Sequence, residues 1–337
     1  DGTILILSDG EMARLIDWPS AFEATKAACR RFSAGVAHSP NRLRIPLEEG
    51  RRFAVMPSAD LGAGARGAKL IGYYPDNPAR GLARVTGIYT LFDPVTGLLL
   101  ALMEGAYLTN VRTAAGAVVA AEVLARSGWR RLGVIGSGGL GTMAAEAFLA
   151  ARPAEIRLFS RTAVNLDRLI RVLEGQLASR PGGDIPRIIR CDTPEDVAGN
   201  SDVLVCATDT KTPVFDGTVL TQGQLVISLG ANTPTTRELD LPTMRVGRVI
   251  ADSRSAVLAE CGEILIPQRE CQLPADPVFG ELGEILNGTK MGRQSDSETL
   301  VFLSTGLAVQ DVLTAQQIYH RALAQGIGTR AALFDSK

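Results

Sequence analysis

The chain has 337 residues, 46% of them apolar, and 35 lysines and arginines against 36 acidic residues leave a net charge of −1. That length makes two domains the default expectation, and the near-neutral balance offers no electrostatic reason for a nucleic acid or an anionic membrane as partner. No apolar run approaches the ~20 residues of a membrane helix, and the opening residues lack the basic segment and cleavage pattern of a secretion signal, so the expectation is a soluble, cytoplasmic protein.

Residues 4–7 read as a short strand, followed by a capping box at Ser8 and Glu11. A second helix is expected from about Asp17 to Gly35, with Pro19 in its first turn. Between Arg42 and Leu102 the pattern becomes short apolar runs separated by turn signals at residues 75–78 and 93–97, which is the signature of an antiparallel or mixed sheet. A long alanine-rich helix is expected from Ala114 to about Ser127. Strand–helix alternation then sets in, with strands at 131–135 and 156–159, helices at 140–151 and 163–178, and further buried-type runs at 187–191, 203–207, 225–229 and 249–251. Such alternation implies a doubly wound parallel sheet. A last helix is expected from Ser304 to about Gln325. The fold class is therefore α/β: a Rossmann domain over residues 115–310, plus a second, α+β domain built from residues 1–114 together with 311–337.

Two scarcities narrow the chemistry. The only histidines, His38 and His320, leave little material for a metal site or a histidine-driven triad, so no metal is expected, and both read as surface residues. The five cysteines, Cys29, Cys191, Cys206, Cys261 and Cys271, are scattered without a C-x-x-C and read as reduced core fillers. Asp9, Glu11, Glu48 and Glu49 read as capping or solvated groups, and Glu281 and Glu284, at helical spacing, as structural.

Gly136, Gly138 and Gly141 have the G-x-G-x-x-G spacing directly after a strand and at the opening of a helix. The first glycine allows the tight turn, the second lets the backbone approach a pyrophosphate, and the third permits close helix–strand packing, while the helix N-terminus favours the phosphate charge. Ser137, Gly139 and Leu140 fill the loop. An NAD site usually carries an acidic residue where the second strand ends. Here the strand runs into Ser160, Arg161 and Thr162 with no carboxylate before Asp167, a set suited to a 2′-phosphate. NADP(H) is therefore favoured over NAD(H).

Only five lysines accompany thirty arginines, and one of them, Lys69, sits in a strand-like run from Gly67 to Gly72. A charge facing inward there is costly unless paired or functional, and a desolvated lysine can exchange a proton near neutral pH. Arg44 and Arg112, if they converge, could clamp a carboxylate.

The segments 69–82, 91–97, 109–115, 135–141, 227–234, 281–284 and 306–311, taken in order, resemble the ornithine cyclodeaminase/mu-crystallin family over nearly the whole chain. The resemblance implies a dimeric two-domain fold and a nicotinamide-dependent reaction on an α-amino or α-imino acid. It implies that Arg44 and Arg112 hold the substrate carboxylate, that Lys69 faces the reacting centre, and that Gly306 lies on the substrate side. It implies further that Arg112, Thr113, Ala207, Thr208, Ser228, Leu229 and Gly230 line the cofactor. Asn232 stands where cyclodeaminases carry an aspartate, and an amide cannot ionise to accept a proton. Asn232 is thus expected to orient substrate, and the reading moves from cyclodeamination of ornithine or lysine to imine reduction or its reverse, amino-acid oxidation. Arg84 stands where cyclodeaminases have a threonine; the opine-type diamino acid synthase branch has an arginine in a similar segment, which implies that Arg84 could hold a second carboxylate. A non-enzymatic, ligand-binding role is the remaining alternative.

Overall fold

The computed structural model describes residues 2–179 and 185–333; Lys337 and the end of the expected 311–337 segment lie outside them. In chain order, β1 (Thr3–Leu7), α1 (Asp9–Leu15), α2 (Trp18–Ser33), β2 (Ala37–His38), β3 (Leu43–Pro46), β4 (Arg52–Asp60), β5 (Ala65–Tyr73), β6 (Val85–Phe92) and β7 (Leu99–Glu104) lead into α3 (Gly105–Leu124). Then come β8 (Arg131–Ile135), α4 (Gly139–Phe148), β9 (Glu155–Phe159), α5 (Ala163–Ala178), β10 (Arg187–Arg190), α6 (Pro194–Gly199), β11 (Val203–Cys206) and β12 (Leu225–Ser228). They are followed by α7 (Leu241–Val246), β13 (Arg248–Ala251), α8 (Arg254–Glu260), α9 (Gly262–Arg269), β14 (Val278–Glu281), α10 (Leu282–Leu286), β15 (Leu300–Leu303), α11 (Ala308–Gln325) and β16 (Thr329–Ala332). The chain divides into two compact units, Asp1–Arg112 with Leu307–Lys337, and Thr113–Gly306.

In the first unit a mixed sheet runs β16-β1-β7-β6-β5-β4-β2, with β3 also on β4. Only β1 and β7 pair in parallel among the described strands. Ser8 and Glu11 form the expected capping box, and Asp17 caps α2 with Pro19 at its start. Helix α11 packs on α2 and across β4, β5 and β6, so one sheet face is covered and carries the core residues Leu5, Leu7, Tyr89, Leu91 and Met103. The row Leu43–Val55–Leu70–Ile88 belongs to the other face, where Leu43 is 63% and Ile88 44% exposed. His38 lies in β2, and both histidines are exposed.

In the second unit all described strand pairs are parallel, in the order β10-β9-β8-β11-β12-β15-β13-β14. The first five strands follow the doubly wound 3-2-1-4-5 order, whose direction reverses between β8 and β11. Strands β14 and β15 fall on runs not anticipated from sequence. Glu281 and Glu284 form a reciprocal capping box on α10, the structural role expected of them. All five cysteines are free, and only Cys271 is exposed.

Two helix starts differ from expectation. Helix α3 begins at Gly105, nine residues before Ala114, because the Glu104 carboxylate accepts the amides of Ala106 and Tyr107 and so satisfies its first turn. Arg112 is therefore in the helix interior rather than at its start. Helix α11 begins at Ala308 rather than Ser304, because Gly306 has φ +98 and its amide is given to Asp252.

Candidate active site

Strand alternation turns Ala65, Gly67 and Lys69 to the covered face of the first unit's sheet. Lys69 pairs with Met56 on one side and Tyr89 on the other, and is 1% exposed. An isolated ammonium at such a position would be prohibitively costly. Its partner is Asp311 in the first turn of α11, where the helix dipole favours a negative charge. Lys69 Nζ lies 2.8 Å from Asp311 Oδ2, and Arg112 Nε lies 2.9 Å from Asp311 Oδ1. Asp311 is fully buried and Arg112 is 4% exposed. Ser58 donates to the Ala308 carbonyl at 2.9 Å, and the Ala308 amide donates to Ser39, which fixes the start of α11.

The trio carries two positive charges and one negative charge. Burial acts to raise the Asp311 carboxyl, but Lys69 and Arg112 outweigh it and hold Asp311 ionised below the usual range. For Lys69 burial is the largest influence and lowers its pKa; Asp311 opposes this, while Arg112 and Arg42 add to it, and the result is about 7. The ammonium can therefore give up or regain its proton at neutral pH.

The other substrate-side residues expected from sequence fall on separate elements of the chain. Arg44 lies on β3 opposite Ala54. Arg42, two residues earlier and just before β3, adds its charge to that of Arg112 on Lys69. Sequence reasoning missed it. Arg84 is exposed just before β6. Asn232 and Gly306 belong to the second unit, and the Asn232 amide donates to the Gly230 carbonyl at 3.0 Å.

In the second unit, Gly136 follows β8 with φ +112, and a Cβ there would come within 2.4 Å of the Ala207 carbonyl oxygen. A Cβ on Gly141 would come within 2.2 Å of the Gly136 carbonyl oxygen. Gly138, the N-cap of α4, has open space where a Cβ would be, and the helix has no acidic residue in its first turn. Gly139 and Leu140 open that helix, and their amides have no intrahelical acceptor. Strained glycine, open cradle and unneutralised helix N-terminus are what a pyrophosphate requires. Ser137 donates to Ser160 at 2.7 Å, the Thr162 amide also donates to Ser160, and Arg161 is exposed. Thr113, next in the chain to Arg112, is buried on α3. Ala207 and Thr208 follow β11, while Ser228, Leu229 and Gly230 end β12 and continue from it.

Two further residues were missed. Asp311, read only as part of a family segment, completes the lysine site from 242 positions away. Glu238 is buried and accepts from the backbone amides of Thr208, Leu229 and Gly230. Its only sequence signal is an acid placed ten residues after a buried strand.

Known proteins resemble the chain over nearly its whole length. The pattern of the ornithine cyclodeaminase/mu-crystallin family matches residues 4–326. A Δ1-pyrroline-2-carboxylate reductase of Bacillus cereus is 33% identical over 330 residues, covering 97% of this chain and 99% of the relative. The structure of the Thermococcus litoralis Δ1-pyrroline-2-carboxylate reductase in complex with NADH and L-proline superposes with a TM-score of 0.91 at 31% identity, over 97% of this chain and 99% of that one. An archaeal alanine dehydrogenase dimer with bound NAD gives a TM-score of 0.90 at 28% identity, over 98% of this chain and all of that one.

Proposed function

The chain belongs to the ornithine cyclodeaminase/mu-crystallin family, and from that premise we propose that it reduces an α-imino acid to an L-amino acid with a reduced nicotinamide dinucleotide. The observation that carries this reading is the buried Lys69–Asp311–Arg112 trio, which holds a lysine poised to exchange a proton at neutral pH. When bound, the dinucleotide supplies the hydride that reduces the carbon of the C=N bond.

Arg112 and Arg42 hold the substrate carboxylate, with Arg44 two residues further along the chain. Bidentate contacts to guanidinium fix the carboxylate and so the direction of the adjacent C=N bond. The Lys69 ammonium donates a proton as the amine forms, and in reverse the neutral Lys69 amine accepts one. Asp311 keeps that ammonium from being lost to burial altogether. Asn232 orients substrate through its amide, and Arg84 would hold the second carboxylate of a substrate that carries one. A five-membered cyclic imino acid is the first substrate class to try, since relatives that resemble the chain over its whole length are named for it.

The second unit holds the dinucleotide, with the pyrophosphate at residues 136–141 and the nicotinamide end at Ala207, Thr208 and residues 228–230. Ser160, Arg161 and Thr162 favour NADP(H), because a guanidinium rather than a carboxylate follows β9. The first unit serves substrate binding and dimerisation. Its uncovered apolar row, Leu43 to Ile88, supports a homodimer formed through that face; a monomer in light scattering would contradict this. No helix among the described residues is long and apolar enough to cross a membrane. Oxidation of NADPH by the purified protein with α-imino acids tests the reading, and release of ammonia from ornithine would instead indicate a cyclodeaminase.

A further inference from the structure

Glu238 and Glu263 are both buried in the second unit, and one hydroxyl lies between them. Ser228 Oγ is 2.8 Å from Glu238 Oε2 and 2.8 Å from Glu263 Oε1. A serine hydroxyl has a single proton to give, so one of the two carboxyls must supply a second proton for both contacts to be hydrogen bonds.

The other contacts decide which one. Glu238 Oε1 faces the amide and hydroxyl of Thr208, at 2.5 and 2.7 Å, and Oε2 faces the amides of Leu229 and Gly230, at 3.1 and 2.7 Å. Four donors besides Ser228 converge on it, and only a carboxylate meets them all. Glu263 Oε1 accepts the Glu238 amide at 3.0 Å and Oε2 accepts from Cys261 Sγ at 3.1 Å, which leaves it able to be the acid. The titratable side chains coupled to the pair by charge, Cys206 and Cys261, bring no positive charge.

We infer that Glu263 is protonated and donates to Ser228, which donates to Glu238, and that the single buried negative charge so placed on Glu238 shapes the two loops that receive the nicotinamide end of the dinucleotide. This rests on the dinucleotide site proposed above. Glu238 and Glu263 are positioning residues: Glu238 ties the residue after Ala207 to the residues that end β12. Tolerance there is small, since a Cβ on Gly230 would come within 1.8 Å of the Thr208 carbonyl oxygen. Two ionised carboxylates across one hydroxyl in so dry a place would repel strongly, and one shared proton removes the conflict. Burial raises both carboxyls, but the donors of Thr208, Gly230 and Ser228 oppose the rise of Glu238, whereas burial and then the charge of Glu238 push Glu263 up from 4.5 to about 7.

The test compares Glu263→Gln, Glu238→Gln and wild type. A glutamine at 263 keeps a neutral donor toward Ser228, whereas one at 238 must turn an NH2 toward backbone N–H groups. A carboxyl whose folded pKa is raised stabilises the fold most fully below its unfolded pKa, and that stability is lost as pH rises through the folded pKa. The nucleotide-free wild type should therefore lose thermal stability between about pH 5 and about pH 7.5, and Glu263→Gln should be flatter over that interval. Glu263→Gln should bind NADPH or NADH, followed by nicotinamide fluorescence, within about twofold of wild type near pH 6, while Glu238→Gln weakens binding about tenfold or more. If Glu238→Gln does not fold, Thr208→Val removes one donor at constant volume and should cost about threefold. Equal losses from the two glutamine variants, or an unchanged pH profile in Glu263→Gln, would overturn the inference. A wild type that binds neither nucleotide contradicts the dinucleotide site, while the nucleotide-free stability profile still decides where the proton resides.

Discussion

Lys69 Nζ and Asp311 Oδ2 stand 2.8 Å apart with neither residue reached by solvent, and Arg112 shares the same carboxylate. Two cations on one anion leave the lysine only partly compensated for its burial. That partial compensation sets its pKa at about 7, and the proposed chemistry depends on it.

The pH dependence follows with a definite sign. Reduction requires Lys69 protonated, so kcat/KM for imine reduction should fall as pH rises through about 7. Oxidation of the product amino acid requires the neutral amine and should rise through the same region. Parallel pH profiles for the two directions would contradict the role of Lys69.

Asp311→Asn removes the charge that supports the Lys69 ammonium, so the pH at which reduction falls away should move downward. Breaking a buried pair in this way also costs about 3–5 kcal/mol, to be read from denaturant unfolding. An unmoved pH profile in a folded Asp311→Asn protein would separate the aspartate from the lysine's titration.

Arg42 and Arg44 can be told apart kinetically. Arg42→Ala should raise the KM for the imino acid about tenfold or more, the loss of a charged hydrogen-bonded contact, and Arg44→Ala should raise it less. The reverse order would return the carboxylate contact to Arg44.

Arg161→Ala should raise the KM for NADPH more than that for NADH, because only the former carries a 2′-phosphate for the guanidinium to hold. Equal effects on both would remove the basis for preferring NADP(H).

What was legible in the sequence was local. The glycine loop could be read because its three glycines fall within six residues between a strand and a helix, and Lys69 because a charge in an apolar strand is conspicuous wherever its partner lies. Asp311 was hidden by distance: an acid in the first turn of a helix is the commonest of capping features, and nothing local says that it faces a lysine 242 residues earlier. Glu238 and Glu263 were hidden for the same reason, since buried carboxylates are recognisable only by the donors that surround them. The start of α3 was missed because Gly105, Thr109 and Asn110 are poor helix formers, and tertiary burial with the Glu104 cap overrides that preference. Strand β15 was missed because four apolar residues just ahead of a helix have no period by which to separate a strand from a first turn.

The most direct test is oxidation of NADPH, with NADH in parallel, by purified wild type and by Lys69→Met in the presence of five- and six-membered cyclic α-imino acids. The expected result is turnover by wild type with at least one of them, and none by Lys69→Met although it still binds the nucleotide. Turnover by Lys69→Met at the wild-type rate would contradict the account.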